Sequence, residues 1–133
     1  MYKMLALMVL LSTVATPASA EMLFYSRTSD FVAQYDASTI EATRHGDLKV
    51  LVKKVYSEKG EEALFRELGI SGVSNIVQTY LLDCAEGSYS VEQTTAFDSN
   101  GNKIFTEKSS QLKRKIALQG SPEDALTKAV CKK

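Results

Sequence analysis

Two cysteines, Cys84 and Cys131, are the residues of this sequence best suited to chemistry. A thiol pair can form a disulfide, act as a redox couple or contribute ligands to a metal. The wide separation of the two cysteines, the lack of a Cys-x-x-Cys motif and the single histidine count against the redox and metal interpretations. We therefore predict a structural disulfide that closes a loop of about 48 residues, worth at most about 4 kcal/mol in the chain-entropy model.

The densest basic run is Lys113-Arg114-Lys115. In a strand, Lys113 and Lys115 would face one side and Arg114 the other. We interpret the run first as an edge strand that charge protects from aggregation. The functional alternative is a partner-binding basic patch for a polyanion or an acidic protein, helped by Lys132 and Lys133 if they lie close by.

A third pattern, Asp98-x-Asn100-x-Asn102, resembles the beginning of a calcium-binding loop. An EF-hand loop needs glycine at its sixth position and a bidentate glutamate at its twelfth. Lys103 and Ser109 occupy those positions, so the match fails. Asn100-Gly101 is instead typical of a two-residue hairpin turn, because both residue types tolerate positive φ. We predict no metal site.

The sequence offers no recognisable catalytic constellation. Its one histidine, His45, stands beside Gly46 and Asp47 in a predicted turn, where a solvated side chain is the simplest interpretation. There is no nucleophile elbow, phosphate-binding loop or paired-carboxylate pattern. We therefore assign no catalytic residue and no cofactor, and we expect a non-enzymatic protein. A small hydrolase, its site assembled from scattered residues, is the remaining enzymatic hypothesis.

The first twenty residues have the three-part layout of a secretory signal peptide. Lys3 supplies the charge, Met4–Leu11 is an unbroken apolar run, and Ala18-Ser19-Ala20 places small residues at a cleavage site. A transmembrane anchor would need roughly 20 apolar residues, more than this run contains. We expect cleavage after Ala20. The next residue, Glu21, is not the cysteine that a lipid anchor requires.

Export would place the protein in the periplasm, outside the cell or at the cell surface, where cysteines are oxidised. The full chain carries 16 basic and 16 acidic residues. This balance gives no electrostatic reason to expect nucleic acid as a partner. Residues 21–133 are short enough for a single domain with a modest core, which a disulfide would reinforce. We expect neither a membrane span nor a lipid anchor.

Alternation of apolar and polar residues predicts a mostly β protein. In Leu48–Tyr56, for example, Leu48, Val50, Val52 and Tyr56 face one way, and Lys49 and Lys53 the other. A helical period predicts a short helix from Gly60 to Leu68. The remaining predicted strands are Leu23–Arg27, Phe31–Ile40, Asn75–Cys84, Tyr89–Phe97, Lys103–Lys108 and Leu112–Leu118.

The clearest local prediction is a C-terminal helix. Ser121 is a natural N-cap, Pro122 suits the first helical position, and Glu123 and Asp124 complement the helix dipole. Cys131 falls in the last turn. A bond to the end of the Asn75–Cys84 strand would tie this helix to the sheet. The predicted fold class is α+β, an antiparallel meander sheet of about six strands with the C-terminal helix packed on one face.

The order of several short segments resembles the surface-adhesin protein E-like family. Phe31–Ile40 is similar to the family's aromatic-Asp-x-x-Ser/Thr-Ile segment, and Asp83-Cys84 to its first cysteine. Ala96–Asn102 resembles its Tyr-Asp-x-x-Gly hairpin. Gly120–Glu123 and Ala129–Cys131 resemble the beginning of its last helix and its closing cysteine. The similarity extends over nearly all of residues 21–133.

This resemblance implies an envelope protein of Gram-negative bacteria, with an antiparallel sheet and a disulfide-tied helix. It also implies binding to host extracellular-matrix or envelope proteins, and a homodimer. The chain departs from the family in lacking the lipid-bearing cysteine and an early tryptophan, in whose place stands Phe24 or Tyr25. Our first hypothesis is an adhesin-like protein-binding module. The alternative is a periplasmic protein that binds a small ligand.

Overall fold

The structure, a computed structural model, describes residues 20–109 and 111–132. Most of the predicted signal peptide, and Lys133, therefore lie outside the described residues. The elements are β1 (Met22–Arg27), β2 (Phe31–Ala42), β3 (Leu48–Tyr56), α1 (Glu58–Leu68), β4 (Asn75–Asp83), β5 (Ser88–Phe97), β6 (Lys103–Lys108), β7 (Lys115–Ile116) and α2 (Pro122–Val130).

The strands form one antiparallel sheet in the order β1-β2-β3-β4-β5-β6, and β7 pairs with β5 beyond this path. Each of the first six strands thus lies beside its neighbour in sequence, which is the meander that the sequence predicts. The helix α2 packs on β1 and β2 and contributes Leu126 and Val130 to the core. The predicted α+β fold class is confirmed.

Alternation along β3 explains which face of the sheet is covered. Val50 and Val52 are fully buried, while Lys49 and Lys53 point from the opposite face, as predicted. The same alternation also turns Lys54 toward the covered face, where it is buried. This lysine was not expected there, and its surroundings are described below.

The covered face carries two separate apolar cores. The larger lies under α2 and joins Leu126 to Val50, Val52 and Leu82. The smaller lies at the opposite end of the strands, where Leu64 of α1 packs against buried residues that include Ile76. Because Ile76 and Leu82 are an even number of residues apart in β4, both cores occupy the same face of the sheet.

The helix α1 begins two residues earlier than predicted, at Glu58. Ser57 is the reason, because its hydroxyl caps the helix by accepting from the Gly60 amide at 3.1 Å. The same hydroxyl donates to the Ser29 carbonyl at 2.8 Å and so holds the helix against the β1–β2 turn. Gly60 permits this close approach, since a Cβ there would overlap the Asp30 carbonyl.

The β5–β6 hairpin differs in detail from the predicted two-residue Asn-Gly turn. Only Gly101 has positive φ, at 84°, and Asn100 does not. The Asp98 carboxylate accepts from the amides of Asn100 and Asn102 at 2.9 Å each, and the Asp98 amide donates to the Asn102 carbonyl. The side chain of Asp98 therefore organises a longer loop, which the dipeptide signal did not reveal.

The predicted strand Leu112–Leu118 is wrong in length, because only Lys115–Ile116 forms a strand. β6 already occupies the outer edge of β5 from Gln93 to Phe97. Only Ser88 and Tyr89 pair with β7. A strand needs a partner for its backbone, so most of Leu112–Leu118 has no ladder to join.

The C-terminal helix is as predicted in position and capping. The Ser121 hydroxyl accepts from the Asp124 amide at 3.2 Å, and Pro122 is the first helical residue. Cys131 caps the helix and bonds to Cys84, with a Cα–Cα distance of 5.7 Å and a sequence separation of 47. The predicted disulfide is confirmed. It joins the end of α2 to the residue that follows β4.

Replacing Cys84 with Ser should destabilise the protein by about 2–4 kcal/mol, because the unfolded chain regains the entropy of the open loop. The melting temperature should fall by on the order of 10–20 °C in non-reducing buffer. Differential scanning calorimetry measures this fall. Wild-type protein with excess reductant is the control and should melt like the variant. An unchanged melting temperature in the variant would show that the bond contributes nothing.

Candidate functional site

A pocket forms at the outer edge of β5 because two different strands share that edge. β6 pairs with β5 as far as Gln93, and β7 pairs with Ser88 and Tyr89. In the described part of the chain, no strand residue pairs with Ser90 or Val91 on this side. Residues 109 and 111–115, which follow β6 in the chain, leave a cavity against this strand edge.

The cavity has a volume of about 250 Å³. Its lining consists of two lysines, one tyrosine, three small polar or amide side chains and one valine: Lys113, Lys115, Tyr89, Ser90, Ser109, Gln111 and Val91. No lining residue is acidic. Two ammonium groups beside hydroxyl and amide groups form a surface suited to anionic oxygen atoms. We call this cavity the lysine pocket.

Tyr89 forms a fixed wall of the lysine pocket. Its ring stacks on the ring of Tyr80, with centroids 5.8 Å apart and an interplanar angle of 26°. Burial raises the pKa of Tyr89, and the neighbouring Glu123 carboxylate raises it further. The phenol therefore stays neutral, and the stacking holds the ring of Tyr89 in place.

Arg114 does not line the pocket, and it turns back onto the sheet. Its guanidinium lies 3.1 Å from Asp47 Oδ2 and 3.1 Å from Asp83 Oδ2. It also donates to the Ser88 hydroxyl at 3.3 Å. The predicted basic patch is therefore divided: Lys113 and Lys115 line the pocket, and Arg114 fastens the chain that carries them.

Exposed apolar side chains accompany the lysine pocket on the same stretch of chain. Residues 111–118, which we call the arm, include Leu112, Ile116 and Leu118, with exposed fractions of 48%, 65% and 70%. The Ala117 amide donates to the Gly87 carbonyl at 2.9 Å and fixes the end of the arm. The arm thus presents large apolar groups next to two cations.

A second polar feature, which the sequence analysis missed, lies on the covered face. Lys54 is 8% exposed, and its Nζ donates to the Tyr80 hydroxyl at 2.9 Å. Nζ also lies 5.1 Å from the centroid of the Phe31 ring, within cation–π range. Burial lowers the pKa of Lys54, and Glu123 opposes this effect. The β3 alternation itself places Lys54 between Val52 and Tyr56 on the covered face, so the pattern could have identified this residue.

The Lys54 site continues as a chain of hydrogen bonds. The Tyr80 hydroxyl donates to the Gln78 amide oxygen at 3.4 Å, and the Gln78 nitrogen donates to the Thr94 hydroxyl at 3.1 Å. Burial raises the pKa of Tyr80, so its phenol stays protonated and both accepts and donates. These groups form a polar layer across the face that carries the two apolar cores. We assign it a structural role.

The other residues that the sequence singled out lie in turns. His45 is exposed in the β2–β3 turn. The Asp98 carboxylate accepts hydrogen bonds from two backbone amides of its own turn. Among residues 20–109 and 111–132, no group of three or more histidine, cysteine or acidic side chains could hold a metal ion. Lys132 is exposed next to the disulfide. Within those same residues, no helix is long and apolar enough to cross a membrane.

Comparison with known proteins gives no relative for this chain. No protein-family model, no curated protein and no solved structure matches it. The resemblance to the surface-adhesin protein E-like family therefore stays a prediction from the sequence.

Replacing Arg114 with Met should release the arm and leave Asp47, which is 8% exposed, without its cation. Because Arg114 itself is partly exposed, we expect a loss of about 1–2 kcal/mol in the free energy of unfolding. Amide exchange at Ala117 should become faster. Hydrogen–deuterium exchange and denaturant unfolding measure the two effects. Lys113→Gln is the control, and unchanged exchange at Ala117 in Arg114→Met would contradict the anchoring role.

Replacing Lys54 with Met should raise the free energy of unfolding near pH 7 by about 1 kcal/mol, because it removes a buried charge. The direction of this change in the free energy of unfolding follows from the lowered pKa of Lys54. Between the folded-state pKa and the ordinary value of 10.5, the unfolded chain binds more protons, so wild-type stability rises with pH in that window. The advantage of Lys54→Met should shrink over the same window.

Urea unfolding between pH 6 and pH 10 tests this prediction. Lys53→Met, on the opposite face of β3, is the matched control and should show no such pH dependence. A Lys54→Met variant that is less stable than wild type at every pH would mean that the Tyr80 hydrogen bond and the Phe31 contact outweigh the desolvation of Lys54.

Proposed function

We propose that this protein is an exported, non-enzymatic binding module of the bacterial cell envelope that binds an acidic protein partner through the arm and the lysine pocket. One observation carries the proposal. Lys113 and Lys115 both line a cavity that Tyr89 also lines, while Ile116 and Leu118 on the same arm remain largely exposed. Large apolar groups beside cations are the composition of an interface centre with a steering charge.

The rigidity of the arm favours binding. Arg114 holds its middle to Asp47 and Asp83, and the Ala117 amide holds its end to Gly87. A surface that is already ordered loses little conformational entropy when a partner docks. The apolar side chains would supply most of the affinity, and the lysines would speed encounter with an acidic surface and exclude basic ones.

The envelope location rests on the sequence and on the disulfide. The pattern of Met1–Ala20 is that of a secretory signal, and the bond between Cys84 and Cys131 fits an oxidising compartment. The family resemblance adds host extracellular-matrix proteins and envelope proteins as partner classes, and homodimerisation as a further expectation. Periplasm and cell surface are both compatible with this proposal.

A second candidate function is the binding of a small organic anion. The observation that favours it is the lysine pocket itself, whose volume of about 250 Å³ suits a small acid or one acidic side chain. This volume lies just below the usual range for ligand pockets, roughly 300–1,000 Å³. A protein partner that inserts a single carboxylate fits the site better, because the exposed apolar groups of the arm would also be used.

Site-specific photo-crosslinking in intact cells tests the proposed function. A photoreactive amino acid at Leu118 should give a discrete cross-linked band, whose partner mass spectrometry identifies. Val55, which is 43% exposed at the other end of the strands, is the control position and should give no such band. The purified partner should then lose at least about tenfold in affinity for Ile116→Ser/Leu118→Ser, as expected for interface hot spots.

Three outcomes separate the hypotheses. A partner whose binding weakens with salt and with Lys113→Gln/Lys115→Gln supports the proposal. Saturable binding of a free organic acid that depends on the lysines but not on Ile116 and Leu118 favours the small-anion function instead. Equal cross-linking from Leu118 and Val55 would contradict a specific surface on the arm.

A further inference from the structure

The backbone of Glu21 is fixed at both of its polar groups, immediately after the predicted cleavage site. Its nitrogen donates to Asp36 Oδ1 at 3.0 Å, and its carbonyl accepts from the Ala37 amide at 2.9 Å. The ladder between β1 and β2 begins one residue later, where Met22 pairs with Asp36. Glu21 is therefore the residue at which the chain becomes part of the fold.

Asp36 is a buried carboxylate, with an exposed fraction of 4%. Its Oδ1 also accepts from the Ser38 hydroxyl at 2.6 Å and from the Ser38 amide at 3.0 Å. The Ser38 hydroxyl is the main cause that lowers the pKa of Asp36, so the group is ionised at neutral pH. Among the described residues, no side-chain cation lies within ion-pair distance of Asp36.

A buried carboxylate that only neutral donors satisfy lacks a counter-ion. In the uncleaved chain, the Glu21 nitrogen is a neutral peptide N–H. Hydrolysis of the Ala20–Glu21 bond adds water across it. Ala20 then keeps a carboxylate, and the Glu21 nitrogen becomes a free α-amine, which is protonated at neutral pH. The same atom that donates at 3.0 Å would then carry a positive charge.

We propose that Asp36 is the receptor for the new N-terminus, and that cleavage between Ala20 and Glu21 completes the fold by placing an α-ammonium on this buried carboxylate. The amide N–H of the precursor already makes a charge-assisted hydrogen bond to the ionised Asp36, and an ammonium at the same atom adds the attraction of a full opposite charge. The mature chain is therefore more stable than the precursor. Cleavage at another position would leave the charge displaced from Asp36, so this stabilisation is specific to a chain that begins at Glu21.

Other charged groups near this contact are few. Across the sheet, Leu51 of β3 pairs with Asp36, and Lys49 and Lys53 flank Leu51 on the same face. Within residues 20–27, the ionisable side chains are those of Glu21, Tyr25 and Arg27. Lys49 forms an ion pair with Glu92 at 3.2 Å. The new ammonium would be the cation placed directly on the carboxylate.

The first experiment determines where the mature chain begins. Intact-mass and N-terminal peptide analysis of the protein purified from the envelope fraction of producing cells should show Glu21 as the first residue. Any other mature N-terminus overturns the proposal. This measurement does not depend on a substitution that could prevent folding.

The second experiment isolates the charge. Recombinant residues 21–133 with a free Glu21 amine are compared with the same chain acetylated at that nitrogen, which keeps an N–H donor but loses the charge. Both forms are made with Asp36 and with Asp36→Asn. Acetylation should raise the unfolding equilibrium constant by about tenfold to a hundredfold with Asp36, and by less than about threefold with Asp36→Asn.

A chain that starts one residue earlier, at Ala20, is the matched control for position, since it keeps a free amine that is no longer at the Glu21 nitrogen. It should behave like the acetylated form. If the Asp36→Asn variant does not fold, the four-way stability comparison cannot be made. In that case, NMR measurement of the pKa of the Glu21 amine in the wild-type chain replaces the comparison. We expect this pKa above its ordinary range of about 7.7–8.0. An unshifted pKa, or equal effects of acetylation in both backgrounds, overturns the proposal.

Discussion

The attachment of α2 to the sheet is the constraint on which the rest of the structure depends. Leu126 and Val130 fill the larger core, and the Cys84–Cys131 bond ties the end of the helix to the end of β4. The turn after Cys84 leads directly into Ser88 and Tyr89, which hold β7. The bond therefore also steadies the end of the sheet where the lysine pocket and the arm are found.

The covered face shows how a small sheet accommodates polar groups among its apolar cores. Lys54, Tyr80 and Gln78 satisfy one another there, and among the described residues no buried side-chain polar atom is left without a hydrogen-bond partner. Such a layer contributes little to stability, since desolvation offsets the hydrogen bonds, but it restricts how the strands can align. Arg114 plays a comparable role outside the cores, because it fixes the path of a segment that has almost no ladder.

Much of the fold could be predicted from the sequence, because its signals are local. The period-two alternation predicted Leu48–Tyr56 with both boundaries correct, and Ser121-Pro122 located the last helix.

The errors in the predicted fold arose where residues distant in sequence determine the local structure. The strand predicted at Leu112–Leu118 is only Lys115–Ile116 in the structure, because β6 already pairs with most of the outer edge of β5. The ion pairs of Arg114 span 31 residues or more, and no local pattern shows them. Of the candidate site, the basic run was visible in the sequence, whereas the cavity, the position of Lys113 and Lys115 along it and the part played by Tyr89 depend on the tertiary fold.

We propose that the surface built from the lysine pocket and the arm is the binding surface of this protein. Chemical-shift mapping on isotope-labelled protein tests it most directly, with a short peptide of glutamate and leucine residues as the probe. We expect saturable shifts concentrated at Ser90, Val91, Gln111 and residues 113–118, which disappear when Lys113 and Lys115 are replaced by Gln. Shifts centred on α1 or on the β1 edge, or shifts unaffected by those replacements, would contradict it.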